Sequence, residues 1–506
     1  MRASLRAGPQ LLTYPDSLGG RIADIAALLA GPLDGLFTGV HVLPPFPSSG
    51  DRGFAPTTYF EIDARFGSWS DIRALAERYD VVLDLMINHI SRRSAEFEDF
   101  ARHGRASPYA DLFITLDKVW PDGRPPAEDV ARIFLRKPQA PFSTVRVADT
   151  GAEERIWTSF GTRDWSEQVD IDVTSPATRD LIASWLRFFA EHGVGIVRLD
   201  AAGYVIKRPG TSCFMVEPEI WEFLGWVASV ADGLGLVALP EIHDRPATHA
   251  KLAAHGHWTY DFVLPGLLLH ALATGTSERL AAHLAGSPAN QFTMLDCHDG
   301  IPVRPDLEGV LTPDEMRALA DLVVDRGGNV NRILSDSHAD DGVDVHQLNA
   351  TYYSALGGDD ERYLLARAIQ LFARGVPQVY YVGLLAGEND LEAVARTGDG
   401  RAVNRHDYGA AEIAAALERP IVRRTLDLLR LRRDHPAFAG SLDVTSDGPS
   451  LRMTWRSGDA SCELRANLAS GAAEISASDP SGVRGERAAQ DRRSGGDRTE
   501  PKTRAV

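Results

Sequence analysis

Cysteine is scarce in this chain of 506 residues: there are three, Cys213, Cys297 and Cys462, odd in number and far apart. They support neither a disulfide framework nor a C-x-x-C metal site. Long apolar runs are missing too, and no stretch approaches the ~20 residues that a membrane-spanning helix needs. The first residues, M-R-A-S-L-R-A-G-P-Q, lack the apolar centre of a secretory signal, so a cytoplasmic location is expected. No internal repeat is visible. Excess positive charge is also lacking. The net charge of −17 argues against nucleic acid or an anionic membrane as a partner. Any anionic ligand must therefore be held by local basic residues against an unfavourable overall field.

What is present is a series of short apolar strands. Gln10 to Tyr14, Val40 to Leu43 and Val81 to Ile87 read as strands, with a helical pattern at Ile72 to Tyr79 between the last two. A fourth strand starts near Gly195, after a helix expected at Thr178 to Glu191. Four more follow at Leu236 to Glu241, Tyr260 to Leu264, Phe292 to Asp296 and Gln378 to Val382. Eight strands alternating with helices predict an α/β fold, a (β/α)8 TIM barrel.

The expected division has the barrel begin in 1–90, with an inserted domain over 91–172, after strand 3. The barrel continues through 173–299, and a second insertion with a mobile loop occupies 300–370, after strand 7. The barrel ends in 371–432. Alternation at Leu451, Met453 and Trp455 predicts a small C-terminal β domain over 433–480. The Arg- and Gly-rich tail, 481–506, is expected to be disordered.

Polar residues interrupt the apolar strands at their C-terminal ends, where barrel sites form. G-I-V-R-L-D carries Arg198 and Asp200, two apart and so on one side of a strand. D-L-M-I-N-H carries Asp84, Asn88 and His89; L-P-E-I-H carries Glu241; L-D-C-H-D carries His298 and Asp299. A buried salt bridge or a helix cap accounts for each motif taken singly. Four in order at successive strand ends point to a site. Three carboxylates on one rim suit glycosidic chemistry, as attacking group, proton donor and holder of the distorted sugar.

These four motifs resemble the signature regions of the α-amylase superfamily. The runs L-L-T-Y-P-D-S-L-G-G, G-V-H-V-L-P-P-F-P-S-S-G-D-R-G-F, R-L-D-A-A-G-Y-V-I-K-R-P-G-T-S-C-F and P-Q-V-Y-Y-V-G-L-L-A-G are similar to its sucrose phosphorylase branch. The resemblance implies that Asp200 is the nucleophile, Glu241 the general acid/base and Asp299 the transition-state stabiliser. It implies that Asp51, Phe54, His89, Arg198, His298 and Arg405 bind a glucosyl unit, and that Gln347 lies in the long loop before the last strand. The partners implied are a small glucoside and inorganic phosphate, with a monomer or homodimer, no cofactor and no metal. Asn88 resembles a calcium ligand of amylases, but this branch is not known for needing metal. Cys297 stands where amylases usually have asparagine.

On the acceptor side, Arg136 in I-F-L-R-K-P and His346 in D-V-H-Q look like the pair with which branch members hold a phosphate on the fructosyl unit. A guanidinium binds phosphate oxygens as a fork and a histidine adds a donor. Lys137 is a further candidate for inorganic phosphate. A solvated loop and a surface histidine are the plainer account of the same residues. Arg198 is expected to keep Asp200 ionised, and Glu241 is expected to have a raised pKa. The alternatives are phosphorylases of sucrose, glucosylglycerol or glucosylglycerate, a sucrose hydrolase or transglucosidase, and a non-catalytic carbohydrate-binding scaffold.

Overall fold

Strands β1 (Gln10–Thr13), β2 (Gly39–Val42), β3 (Asp80–Met86), β4 (Val194–Asp200), β5 (Val237–Pro240), β6 (Thr259–Asp261), β7 (Gln291–Thr293) and β8 (Val376–Tyr380) form one parallel sheet. In this computed structural model, residues 5–6, 8–137, 139–160, 167–333, 343–479 and 502–505 are described, with Asp51 and 502–505 as backbone only. The strand order is β6-β7-β8-β1-β2-β3-β4-β5. The end strands β5 and β6 lie against each other, so the sheet nearly closes into the expected barrel. Both faces of its walls are buried, and most of what they bury is apolar: Leu11, Val40, Val82, Leu83, Ile196, Val197 and Phe292 are all fully buried. Such two-sided burial explains why these strands read as continuous apolar runs.

Three expected strands end two or three residues early, and the one expected to reach Asp296 stops at Thr293. Residues from Val263 onward form helix Val263–Thr274, and Tyr381–Leu384 is a helical turn following β8. Apolar runs buried on every side carry no period that separates strand from helix, and here the run spans the boundary. The helix expected at Ile72 starts earlier, at Trp69, because Ser68 and Asp71 form a capping box.

Between β3 and helix Pro176–Glu191, the chain forms an antiparallel hairpin, Phe142–Arg146 with Glu153–Trp157. A second antiparallel pair joins His89–Ser91 to Gln168–Asp170, bringing this segment back to the end of β3. A small separate core of Ile114, Leu116, Trp120, Ile133, Trp157 and Cys213 holds it. Between β7 and β8, Ile301–Pro302, Asn329–Arg332 and Val345–Asn349 form a three-stranded antiparallel sheet.

At the C-terminus, Ser441–Asp447, Ser450–Ser457, Ala460–Asn467 and Ala472–Ser478 make an antiparallel meander. Leu451, Met453 and Trp455 are buried along one face, as their alternation predicts. Most of the tail expected to be disordered lies outside the described residues. Its Lys502–Ala505 departs from that expectation by pairing antiparallel with Glu474–Ala477, because the last meander strand offers an open edge. Among the described residues, no helix is long and apolar enough to cross a membrane.

Candidate active site

The hub of the site is Arg198 on β4, with 5% of its side chain exposed. Its Nη1 donates to Asp200 Oδ1 at 3.0 Å and to Asp84 on β3, and its Nη2 forms an ion pair with Glu241 Oε1, 2.7 Å away. Asp84 is fully buried and also lies 2.8 Å from His41 Nε2 on β2, so it anchors the guanidinium rather than facing a ligand. One cation thus serves three carboxylates. The next residue after Asp200, Ala201, has φ +53°, a left-handed conformation that a non-glycine residue adopts at a cost of about 1–2 kcal/mol. That turn aims its N–H at Glu241 Oε2, 3.0 Å away.

His298 and Asp299 lie beyond the end of β7, and Asn404 fixes their path. Its Nδ2 donates to the carbonyls of Cys297 (3.0 Å) and Asp299 (2.9 Å). Arg401 Nη1 and Arg405 Nη2 lie 3.3 and 3.5 Å from Asp299 Oδ1, and Arg405 Nε donates to the His298 carbonyl at 2.7 Å. The His298 ring stacks on Phe54, with centroids 5.0 Å apart and planes 6° from parallel. The Phe54 carbonyl in turn accepts from His89 Nε2 at 3.1 Å.

Phe54, His89, Arg136, Asp200, Glu241, His298, Asp299 and Gln347 line one cavity, and Arg198 lines an adjoining one. Arg405 and His346 stand behind this wall, one contact away. The side chain of Asp51 lies outside the described residues. A groove on the C-terminal sheet includes none of these residues, and its Arg452 and Arg465 both pair with Glu463.

The charge state reverses one expectation. Burial, then Glu241, push Asp200 well above the carboxylate range despite Arg198. Burial raises Glu241 too, but Arg198 and His243 overcome it and hold that carboxyl far below its usual range. The expectation had Asp200 ionised and Glu241 protonated. The reversal arises because Glu241 turns onto Arg198 and lies 3.6 Å from His243, so it collects two cations. Asp299 is likewise held low against burial, by the guanidiniums of Arg401, Arg405 and Arg198. Burial, with help from Arg198 and Arg405, takes His298 down to about 4, so this ring is neutral.

On the acceptor side, Arg136 and His346 meet, with Nη1 2.7 Å from Nε2. His346 Nδ1 lies 2.7 Å from the Arg304 carbonyl, which can only accept. Nδ1 therefore carries the proton and Nε2 receives the Arg136 N–H. His346 is thus an acceptor as placed, not the expected donor, and burial with Arg136 pushes its pKa well below the usual histidine value. It is no surface residue, being 4% exposed. The Arg136 guanidinium sits 5.9 and 6.0 Å from the ring centroids of Phe160 and Tyr204. Lys137 is buried, its ammonium donating to Thr158 Oγ1 at 3.0 Å.

Asn88 does not face an open cation position. Its Oδ1 accepts from Lys207 Nζ at 3.1 Å, and the same ammonium is 2.8 Å from the buried Asp170 carboxylate. Glu241, His243 and Asp299 bring potential ligand atoms within 4.8 Å of one another. These atoms are already committed to arginines or to Asp306, so they form an ion network.

Sequence reasoning missed His243, Arg401, Asn404 and His41. His243 stands two residues after Glu241 in L-P-E-I-H, and Arg401 and Asn404 fall within or just before N-R-H-D-Y, so proximity to a motif was the available signal.

Residues 35–250 match the alpha amylase catalytic domain. The chain is 50% identical to sucrose 6(F)-phosphate phosphorylase of Thermoanaerobacterium thermosaccharolyticum, over 92% of this chain and 96% of that protein. It is 45% identical to the sucrose phosphorylase of Streptococcus mutans, over 85% and 88%. The crystal structure of sucrose 6F-phosphate phosphorylase from Thermoanaerobacter thermosaccharolyticum superposes with a TM-score of 0.94 at 47% identity, covering 99% of both chains.

Proposed function

Because the chain belongs to the α-amylase family, in its sucrose phosphorylase branch, we propose that it is a retaining phosphorylase acting on sucrose 6F-phosphate. It transfers the glucosyl unit to inorganic phosphate, giving α-glucose 1-phosphate and fructose 6-phosphate. Asp200 attacks the anomeric carbon while Glu241 gives its proton to the bridging oxygen, releasing fructose 6-phosphate and leaving a covalent glucosyl-enzyme. Phosphate then attacks the same carbon, its proton passing to Glu241, and the bond to Asp200 breaks. Asp299 offsets the positive charge that develops on the ring. Phe54, His89, Arg198, His298 and Asp51 hold the glucosyl unit, and Arg405 from behind the wall fixes His298 and Asp299.

The first step needs the proton on Glu241, whereas the contacts to Arg198 and His243 keep it off. The buried Asp200–Glu241 pair titrates as a unit, so substrate arrival has to move Glu241 off Arg198 and transfer the proton within the pair. Arg198 is then left to Asp84 and Asp200, which favours the ionised nucleophile.

The observation that carries the choice of substrate is the contact of Arg136 with His346 at the cavity wall. The Arg136 guanidinium, held there by the neutral His346 ring, is a cation at the wall that Gln347 also lines. Against a net charge of −17, such a local cation is what an anionic sugar requires. The test is release of glucose 1-phosphate from sucrose and from sucrose 6F-phosphate, side by side, with phosphate present. Strong preference for the phosphorylated sugar supports the reading. A preference for sucrose returns the chain to plain sucrose phosphorylase chemistry, and glucose release without phosphate consumption makes it a hydrolase.

A further inference from the structure

His243 is held more firmly than an acceptor-side residue needs to be. Its ring stacks on Phe262, with centroids 3.9 Å apart and planes 20° from parallel. Its Nδ1 lies 3.2 Å from Asp306 Oδ2, and Asp306 is fully buried. The opposite nitrogen, Nε2, is directed at Glu241 Oε1 from 3.6 Å. Asp306 has little else to neutralise it. Its Oδ1 has no hydrogen-bond partner among the described residues, and His249 Nε2, 3.9 Å away, already donates to the Ile242 carbonyl. Burial lowers His249, so it stays neutral. Against burial, Asp306 and Glu241 raise His243 to about 10. Both His243 nitrogens then carry protons, one for each carboxylate.

The other titratable groups facing His243 do not supply a competing charge. The His346 ring, 5.8 Å away, is neutral, and the Tyr204 phenol is pushed by burial up to about 12. On Glu241 itself, Arg198 Nη2 lies 2.7 Å from the same oxygen, Oε1, that His243 faces and adds to its effect, while Asp299 opposes it.

We propose that His243, clamped by Asp306, is a positioning residue that keeps a fixed positive charge against Glu241 and so tunes when that carboxyl acts as acid or as base. The proposal rests on the reading of Glu241 as the acid/base. The imidazolium favours the carboxylate, the form needed to take a proton from attacking phosphate. It correspondingly lowers the pH above which Glu241 can no longer protonate a leaving group. The pair therefore sets the alkaline limit of the first half-reaction.

The test is the pH profile of kcat/KM for the glucoside in wild type, His243→Gln and Asp306→Asn. The first substitution keeps a hydrogen-bonding side chain without the charge, and the second removes the anion that holds the ring protonated. Both variants should move the alkaline limb up by about one unit or more. With α-glucosyl fluoride, whose leaving group needs no proton, wild type and His243→Gln should differ by less than about threefold in the glucosylation step. A limb that stays in place in His243→Gln, with only a uniform loss of rate, overturns the proposal and leaves a purely structural ring. Should Asp306→Asn fail to fold, the His243→Gln variant alone decides. A Glu241→Gln control separates the underlying reading. If that variant is no more impaired on the glucoside than on the fluoride, the acid/base assignment itself fails.

Discussion

Replacing Arg136 by alanine should abolish discrimination between sucrose 6F-phosphate and sucrose. Its Nη1 spends one hydrogen bond on the neutral His346 ring. A phosphate dianion would draw the guanidinium into two charge-assisted bonds, each contributing about 1.5–3 kcal/mol, while the bond to His346, about 1 kcal/mol net, is given up. The balance is about 2–5 kcal/mol, or roughly 30- to 5,000-fold in kcat/KM for the phosphorylated sugar. For sucrose, no phosphate calls on Arg136, and the change should stay within about threefold. The Phe160 and Tyr204 rings beside the guanidinium keep their own packing, so a general collapse of the cavity is not expected. The assay is initial-rate release of glucose 1-phosphate on both sugars at fixed phosphate. Arg136→Lys, which keeps the charge but not the fork, should recover only part of the loss. An equal loss on both sugars would refute the reasoning and make Arg136 a structural residue.

Three further outcomes are expected. Asp200→Asn should lower turnover by at least about 10³-fold, yet raise the melting temperature. Burying this acid with its pKa pushed up costs stability near neutral pH, a cost that the amide removes, and a lower melting temperature would contradict that account. Arg367→Met should destabilise by about 3–5 kcal/mol in urea titration. Both oxygens of buried Asp296 lie 2.8 Å from Arg367 Nη2, and Asp296→Asn in the same chain should restore part of the loss. Stability should fall as pH rises from about 6.5 toward 10, because His243 and His283 gain carboxylate partners on folding. Their folded pKa values lie above the unfolded ~6.5, so the contribution is whole below that pH and lost as pH climbs through the folded values. His283→Gln should flatten the melting-temperature profile over that interval; an unchanged slope would remove His283 from the account.

The charged residues at the strand ends were legible because barrel geometry sends them to one rim, and burying Asp84, Arg198 and Asp200 together demands a reason that loops do not. The eight strands were legible for the same cause, since burial on both faces forces unbroken apolar runs such as Val81 to Ile87 and Ile196 to Val197. What eluded the sequence is whatever depends on the third partner. Glu241 alone reads as an acid in an apolar strand end, with its pKa raised by burial. Only the fold shows that Arg198, His243 and the Ala201 N–H all converge on it, which reverses the sign. His346 alone reads as a donor to phosphate, until the Arg304 carbonyl fixes its proton on the other nitrogen. Gly383 makes the same point within the core. Nothing in V-Y-Y-V-G-L marks it, yet a Cβ there would stand 1.9 Å from Arg367 Nη2 and 2.2 Å from Asp296 Oδ2. A glycine is needed so that the turn after β8 can pass the Arg367–Asp296 pair, whose two members come from segments 71 residues apart. Electrostatic sign and close approach are properties of triples of residues brought together by the fold. A motif read along the chain supplies one member, or two, and the charge state of a site is decided by the third.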